Sequence, residues 1–398
     1  MLRGTLSVVP QDRLVAVSIL TGSSRVLDTN ELRLLSEISS WEWIPSDIAE
    51  VRFGVVAKTI DDLLASGHLI GDSELPELQK LRAREERYAA VEWDEYAFYY
   101  HMSNRTRDAD PFQNMAAPAA APVAETQVND GSRQEYSEMM NQLSHQLRAT
   151  AYQYGPAPPH FFEVGNALEK RTLPDPEHDG PLFQLLRARK TVRLFDPDNP
   201  MTEQELSTVL YFTFGCHGIA PLAEGVVALK KTSPSGGALH PIEAYPIVMN
   251  VSGLQSGIYH YNVQNHRMDL LRNLARPDSE RLVEKFTAGQ SYFATAHALF
   301  ILTARFHRNF WKYRKAPRSF RVIQLDAGHL SQTMALVCTS LGLGAFFTAA
   351  VNDINIEEEL GIDAVEQGVV GILGCGRAVT SYALTFETSP YVRREPVT

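Results

Sequence analysis

Apolar positions from residue 181 onward switch repeatedly between helical and extended spacing. Thr202-Glu203-Gln204-Glu205 has the form of a capping box, and "ELSTVLYFTFG" behind it predicts a helix. "AYPIVMNV" predicts a strand, and "GIYHYNVQNHRMDLLR" a hairpin turning near Gln264 and Asn265. The unbroken apolar run of "ALFILTARF" fits a strand covered on both faces. In "VIQLDAGHLSQTMALVCTSLGLG" the residues Ile323, Leu330, Met334, Val337 and Leu341 share one helical face, and Gly342 and Gly344 end the helix. "GVVGILGCGR" predicts a last buried strand. The fold class is α+β, a central sheet with helices segregated around it.

The first 80 residues have a different texture. "LVAVSIL" and "SRVL" flank a turn at Thr21, Gly22 and Ser23, as a β-hairpin does. Asp28 or Thr29 can cap a helix bearing Leu32, Leu34, Leu35 and Ile38, and Ser46 can cap a second. A third helix runs through Val55, Val56, Ile60, Leu63 and Leu64 to Gly67, and "HLIGD" predicts a wing strand. Residues 1–80 are therefore expected to form a small winged-helix-like domain. It is either a structural appendage or a surface to which a peptide adds as an extra strand; no basic recognition helix for DNA is present. Residues 81–175 are expected to be a helical and linker region, disordered at about 115–132, where Ala, Pro and small polar residues dominate. Residues 176–398 carry the alternating pattern.

Charge narrows the partners. The chain of 398 residues has 37 Lys and Arg against 47 Asp and Glu, a net charge of -10, which argues against nucleic acid. No apolar run is long enough to span a bilayer, and the start lacks the apolar stretch of a signal peptide. Cys216, Cys338 and Cys375 have neither metal-ligand nor disulfide spacing, so a cytoplasmic protein without a metal is expected. His217, His240, His307 and His329 stand apart from one another.

Two stretches carry candidate chemistry. In "KTSPSGGALHPIEAYPIV", Gly236 and Gly237 stand in tandem before Ala238, a run that lets something flat or bulky approach the backbone. "RARKTVRLF" supplies Arg187, Arg189, Lys190 and Arg193 around Thr191, and Arg377 follows Gly376 near the end of the pattern. Arginine forks match phosphate oxygens, although a cluster of this kind is equally a solvated basic face. No Gly-x-Gly-x-x-Gly turn or Walker loop stands where a dinucleotide or nucleotide site would need one.

"RARKTVRLF", "SPSGGALHPIEAYPIV", "LDAGHLSQTMALVCTSLGLGAFF" and "GILGCGR" occur in the order seen in nitroreductase-like flavoproteins. The second stretch resembles the SagB-type (McbC-like) peptide-maturation dehydrogenases, and "VEWDEYAFYYHMSNRTR" resembles the segment before their catalytic domain. The resemblance implies a nitroreductase-like FMN domain, a homodimer with flavin at the subunit interface, and a modified precursor peptide as substrate. Cyclodehydratase or other peptide-modifying enzymes are the implied partners. It implies that Pro234, Ser235, Gly236, Gly237, Ala238, Leu239 and His240 lie along the flavin ring, with Gly342, Leu343, Gly344 and Ala345 near its other side. Arg189, Lys190, Thr191 and Arg193 fall at the phosphate and ribityl end, with Gly376 and Arg377; Gln332 is a further implied cofactor contact. Thr333, Ala349 and Ala350 depart from the residues common in the family.

Azoline-oxidising members carry a Lys-Tyr pair, and "FWKYRK" offers Lys312 and Tyr313 between the buried strand and the long helix. A free lysine titrates near ~10.4 and a free tyrosine near ~10, so either needs a lowered pKa to act as a base at neutral pH. The bland alternative is a solvated loop with an anchoring tyrosine. Three functions remain open: an FMN-dependent dehydrogenase oxidising azolines to azoles, an NAD(P)H-using flavin reductase of dehydroamino acids, quinones or nitro compounds, and a non-catalytic leader-peptide adaptor.

Overall fold

The computed structural model describes residues 5–7, 15–18, 20–38, 43–72, 74–109, 131–159, 164–174, 176–177 and 179–379. The N-terminal unit has strands β1 (Thr5–Ser7), β2 (Val15–Val17) and β3 (Ser24–Val26), then helices α1 (Thr29–Glu37), α2 (Ser46–Phe53) and α3 (Ala57–Ala65). Strands β2 and β3 pair antiparallel across the expected turn, Val15 opposite Val26. Asp28 caps α1 through a full capping box with Glu31. Helix α2 is not capped by Ser46; Pro45 precedes it and no side chain satisfies its first N–H groups. The expected wing strand at residues 68–72 is absent. His68 and Leu69 turn inward instead, and the His68 ring bonds the Ala16 carbonyl at 3.2 Å. Burial of that ring lowers its pKa.

Helices α4 (Pro76–Val91), α5 (Glu95–Asn104) and α6 (Gly131–Tyr154) follow. Nearly all of the Ala- and Pro-rich stretch expected to be disordered lies outside the described residues; Gly131 and Ser132 open α6. Then come α7 (Pro181–Ala188), β4 (Met201–Thr202), α8 (Glu203–Phe214), β5 (Gly218–Ala223), β6 (Val226–Lys230), β7 (Ile242–Val248), β8 (Val251–Ser252), β9 (Gly257–Asn262) and β10 (Arg267–Asn273). The chain continues with α9 (Arg276–Phe286), β11 (Ala298–Arg305), α10 (Phe306–Tyr313), α11 (Arg318–Ser340), β12 (Gly344–Thr348), α12 (Asp353–Leu360) and β13 (Gln367–Gly376).

Six strands make one antiparallel sheet in the order β10-β9-β7-β11-β13-β12. Its centre, β11, is buried from Ala298 to Ala304, as a continuous apolar run between two helical layers requires. One face packs on α8, α11 and the α4–α5 elbow through Leu206, Leu210, Met334, Trp93 and Phe98. The other packs on α9 and α12 through Val283, Phe286 and Ile356. The α+β expectation holds, and α8 begins at the expected capping box, with Thr202 and Glu205 bonded both ways.

The elbow between α4 and α5 belongs to the core of the sheet domain. Trp93, 1% exposed, donates its indole N–H to the Val365 carbonyl at 2.8 Å. Phe306 and Phe310 ring centroids lie 4.5 and 4.7 Å from it. His101 stacks on Trp93 and bonds the Ala364 carbonyl; burial lowers its pKa to about 3, so it is a neutral packing residue. After α5, Arg105 grips Glu357, the Thr106 hydroxyl donates to the Val351 carbonyl at 2.7 Å, and Asn355 holds Asp108. The sequence reading places this segment in the helical and linker region ahead of the sheet domain, and its contacts with that domain's core are not visible in local patterning.

Candidate active site

The tandem glycines sit on α11. Asp326, 3% exposed, accepts from the Ser235 hydroxyl at 2.5 Å and from the Gly236 N–H at 3.1 Å. The Ser235 oxygen accepts in turn from the His240 N–H at 2.9 Å, closing the turn on itself. The Ser233 and Thr333 hydroxyls bond at 2.6 Å, so the threonine that departs from the family pattern fastens the loop. Each glycine answers to a different neighbour. A Cβ on Gly236 would lie 2.1 Å from Val322 Cγ1, a clash with the helix. Gly237 has φ +69. A Cβ there would lie 2.6 Å from the Tyr313 hydroxyl and 2.9 Å from Lys312 Nζ. The chain itself therefore demands both glycines, beyond any ligand that lies against them.

Lys312 and Tyr313 thus meet the glycine loop. They end α10, and the Lys312 ammonium donates to the Gly237 carbonyl at 3.4 Å. Arg308, one turn earlier, donates to the Leu239 carbonyl at 2.9 Å. From the other side, Trp93 floors α10 through Phe306 and Phe310, and Glu92 holds Arg314, the residue after Tyr313, at 2.9 Å. Asp326, Trp93 and Glu92 support the pair, and sequence reasoning assigned none of them a role. Asp326 stood within a motif already singled out, and an acid on an otherwise apolar helical face was the signal. Behind the loop, Lys231, His240, Asp326 and Leu330 line a small recess. Burial lowers the pKa of both Lys231 and His240.

A second group gathers at the far end of α11. The Val192 N–H donates to the Ala345 carbonyl at 2.9 Å, and Gly344 packs on Val192. Gly344 pairs with Gly376 across β12 and β13, and the Asp196 N–H donates to the Arg377 carbonyl. Residues 191–196, 344–345 and 376–377 are therefore adjacent. Leu343 and Ala345 are buried, so they offer backbone and not side chains. Gln332 lies on an exposed stripe of α11 with Leu325, Gly328 and His329.

Arg377 pairs with a carboxylate. Its Nη2 donates to both carboxylate oxygens of Glu205 at 3.0 Å, and its Nε donates to the Pro200 carbonyl at 3.3 Å. Burial pushes the Glu205 pKa up but is outweighed by the Thr202 bonds and by Arg377, so the carboxylate is held below its usual range. Arg189, Lys190 and Arg193, by contrast, form no ion pair among the described residues. The arrangement fits FMN: unpaired cations beside a glycine-bordered strand, and an exposed Gly237 backbone facing a lysine and a tyrosine.

Comparison with known proteins gives the family. The profile of the Nitroreductase family matches residues 186–377. Putative nitroreductase MJ1384 of Methanocaldococcus jannaschii is 32% identical over 199 residues, covering 50% of this chain and 92% of that protein. The chain belongs to the nitroreductase family. Two of its other relatives are processing proteins, consistent with the SagB-type, McbC-like branch. Trifolitoxin-processing protein TfxB of Rhizobium leguminosarum bv. trifolii is 39% identical over 137 residues, 34% of this chain and 36% of that one. Microcin B17-processing protein McbC of Escherichia coli is 28% identical over 149 residues, 34% of this chain and 50% of that one. The chain thus spans half or less of either processing protein, whereas it covers most of the nitroreductase.

Proposed function

We propose that the protein is an FMN-dependent dehydrogenase that matures a ribosomally made peptide by oxidising azoline rings to azoles. The observation that carries this reading is the convergence of Lys312 and Tyr313 on the Gly237 backbone. A bound flavin supplies a two-electron acceptor for the hydride lost from one ring carbon. The protein must take the proton from the adjacent carbon. Lys312 Nζ or the Tyr313 oxygen is the acceptor, both held at the glycine loop by α10. Loss of one hydride and one proton leaves the ring aromatic.

Arg189 and Arg193 bind the flavin phosphate in this proposal. Arg377, tied to Glu205 through Nη2, is a weaker contributor. The ring lies at Gly237, and a second copy of the chain completes its pocket. Titrating FMN into apoprotein checks these assignments. Arg189→Ala and Arg193→Ala should each weaken binding about ten- to hundredfold, the loss of one charge-assisted contact. Arg377→Ala should have a smaller effect. Sedimentation of the titrated protein at micromolar concentration should show flavin travelling with a dimer; flavin on a monomer would contradict the shared pocket.

Mass spectrometry of a candidate precursor peptide incubated with the yellow protein tests the reaction. A loss of about two daltons per ring is expected, by hydrogen count. A gain of about two daltons, with rapid bleaching by NADH or NADPH, would establish the reductase instead. The name and high coverage of MJ1384 favour that second reading. A protein that binds no flavin would leave only the adaptor.

A further inference from the structure

Residues 305–321, "RFHRNFWKYRKAPRSFR", hold seven arginines and lysines and no carboxylate, in a chain of net charge -10. They form the last residue of β11, α10, the turn after it and the start of α11, so the charge is collected at the mouth of the candidate site. Two of the seven have carboxylate partners, Arg305 with Glu243 at 2.7 Å and Arg314 with Glu92 at 2.9 Å. Arg308 and Lys312 donate to backbone carbonyls of the glycine loop. Lys315, Arg318 and Arg321 are exposed and form no ion pair among the described residues. Exposed aromatic residues border them: Trp311 is 47% exposed and Tyr100 58%, its ring 6.0 Å from that of Phe320.

We infer that this surface docks an acidic stretch of the peptide substrate and leads it to Gly237, a proposal that rests on the reading of the substrate as a peptide. An acidic protein repels acidic ligands at long range unless cations are concentrated where the ligand must arrive. Here they are concentrated beside the loop that Lys312 and Tyr313 face. Arginine with exposed tryptophan and tyrosine is the composition of protein-binding hot spots. Nucleic acid would need a wider basic surface than seventeen residues of a net-acidic chain provide.

The test uses the flavin-loaded protein and two fluorescein-labelled probes, (Glu-Gly)6 and (Lys-Gly)6, read by fluorescence polarisation. The comparison protein carries Lys315→Glu, Arg318→Glu and Arg321→Glu together. These exposed positions lie outside the catalytic pair, and retained flavin absorbance reports an intact fold. The glutamate probe should bind the native protein. Its affinity should fall at least about tenfold in the triple variant, and also as salt rises from about 50 to about 300 mM. The lysine probe should not bind. Equal affinity of native and variant protein for the glutamate probe, or no binding at all, would overturn the proposal. A rise in KM for NADPH in the variant, with probe binding unchanged, would overturn it in favour of a dinucleotide phosphate site. Binding needs no turnover, so this result stands apart from the precursor mass measurement, which tests the peptide reading itself.

Discussion

Lys312→Ala and Tyr313→Phe are expected to keep their flavin and to lose about 10²–10⁴-fold in turnover, the usual contribution of a positioned general base. Both residues end α10 at the glycine loop, and each lies within reach of a Cβ built on Gly237. Neither is part of the core, so removal of either should leave the fold intact. Lys312→Arg should fail as fully as alanine, because a guanidinium stays protonated and cannot take a proton. Flavin absorbance must be measured beside rate, since lost cofactor and lost chemistry give the same rate. If both single variants retain flavin and near-native turnover on the true peptide, the pair only fastens the loop and the reductase reading moves ahead.

Trp93→Ala should destabilise the sheet domain by about 3–5 kcal/mol, the range for removing a large buried aromatic residue. The indole is 1% exposed, contacts Phe306 and Phe310, and bonds Val365. Urea unfolding followed by flavin release should show the midpoint falling. Tyr96→Ala, three residues on and 75% exposed, should change stability by less than about 0.5 kcal/mol. A Trp93→Ala protein as stable as native would mean that the elbow merely rests on α10. Because Trp93 floors the helix that ends in Lys312 and Tyr313, the same variant should also lose turnover at temperatures where it remains folded.

Elements with strong periodicity were legible. The helix from Arg318 to Ser340 follows from apolar spacing, because one of its faces is buried, and the strand from Ala298 to Arg305 from an unbroken apolar run, because both of its faces are. The wing at residues 68–72 was not, since a short apolar run with a glycine suits a strand and an inward-turned loop equally. The role of Asp326 was hidden because its partners, Ser235 and Gly236, stand some ninety residues away. Arg377 is assigned by its motif and its charge, and neither reveals the pairing with Glu205 in a helix cap. The elbow at Trp93 was the largest miss in physical terms. Its partners Val365, Phe306 and Phe310 are more than two hundred residues distant, and no local pattern announces such contacts.

That distance has a consequence during synthesis. Trp93 and Phe98 leave the ribosome long before Val365, which is 272 positions from Trp93 and closes the pocket around the indole. Translation at roughly 5–20 residues per second separates the two events by on the order of 15–50 seconds. Thr106 waits about as long for Asp353, 247 positions later. Until Phe306 and Phe310 emerge the nascent chain presents an aromatic segment without these partners, and until Val365 emerges the cover is incomplete. High contact order of this kind slows folding and favours association between unfinished chains. Expression of this protein should therefore respond to chaperone supply and to growth temperature through the N-terminal third of the chain, although the candidate pair Lys312 and Tyr313 lies in the second half.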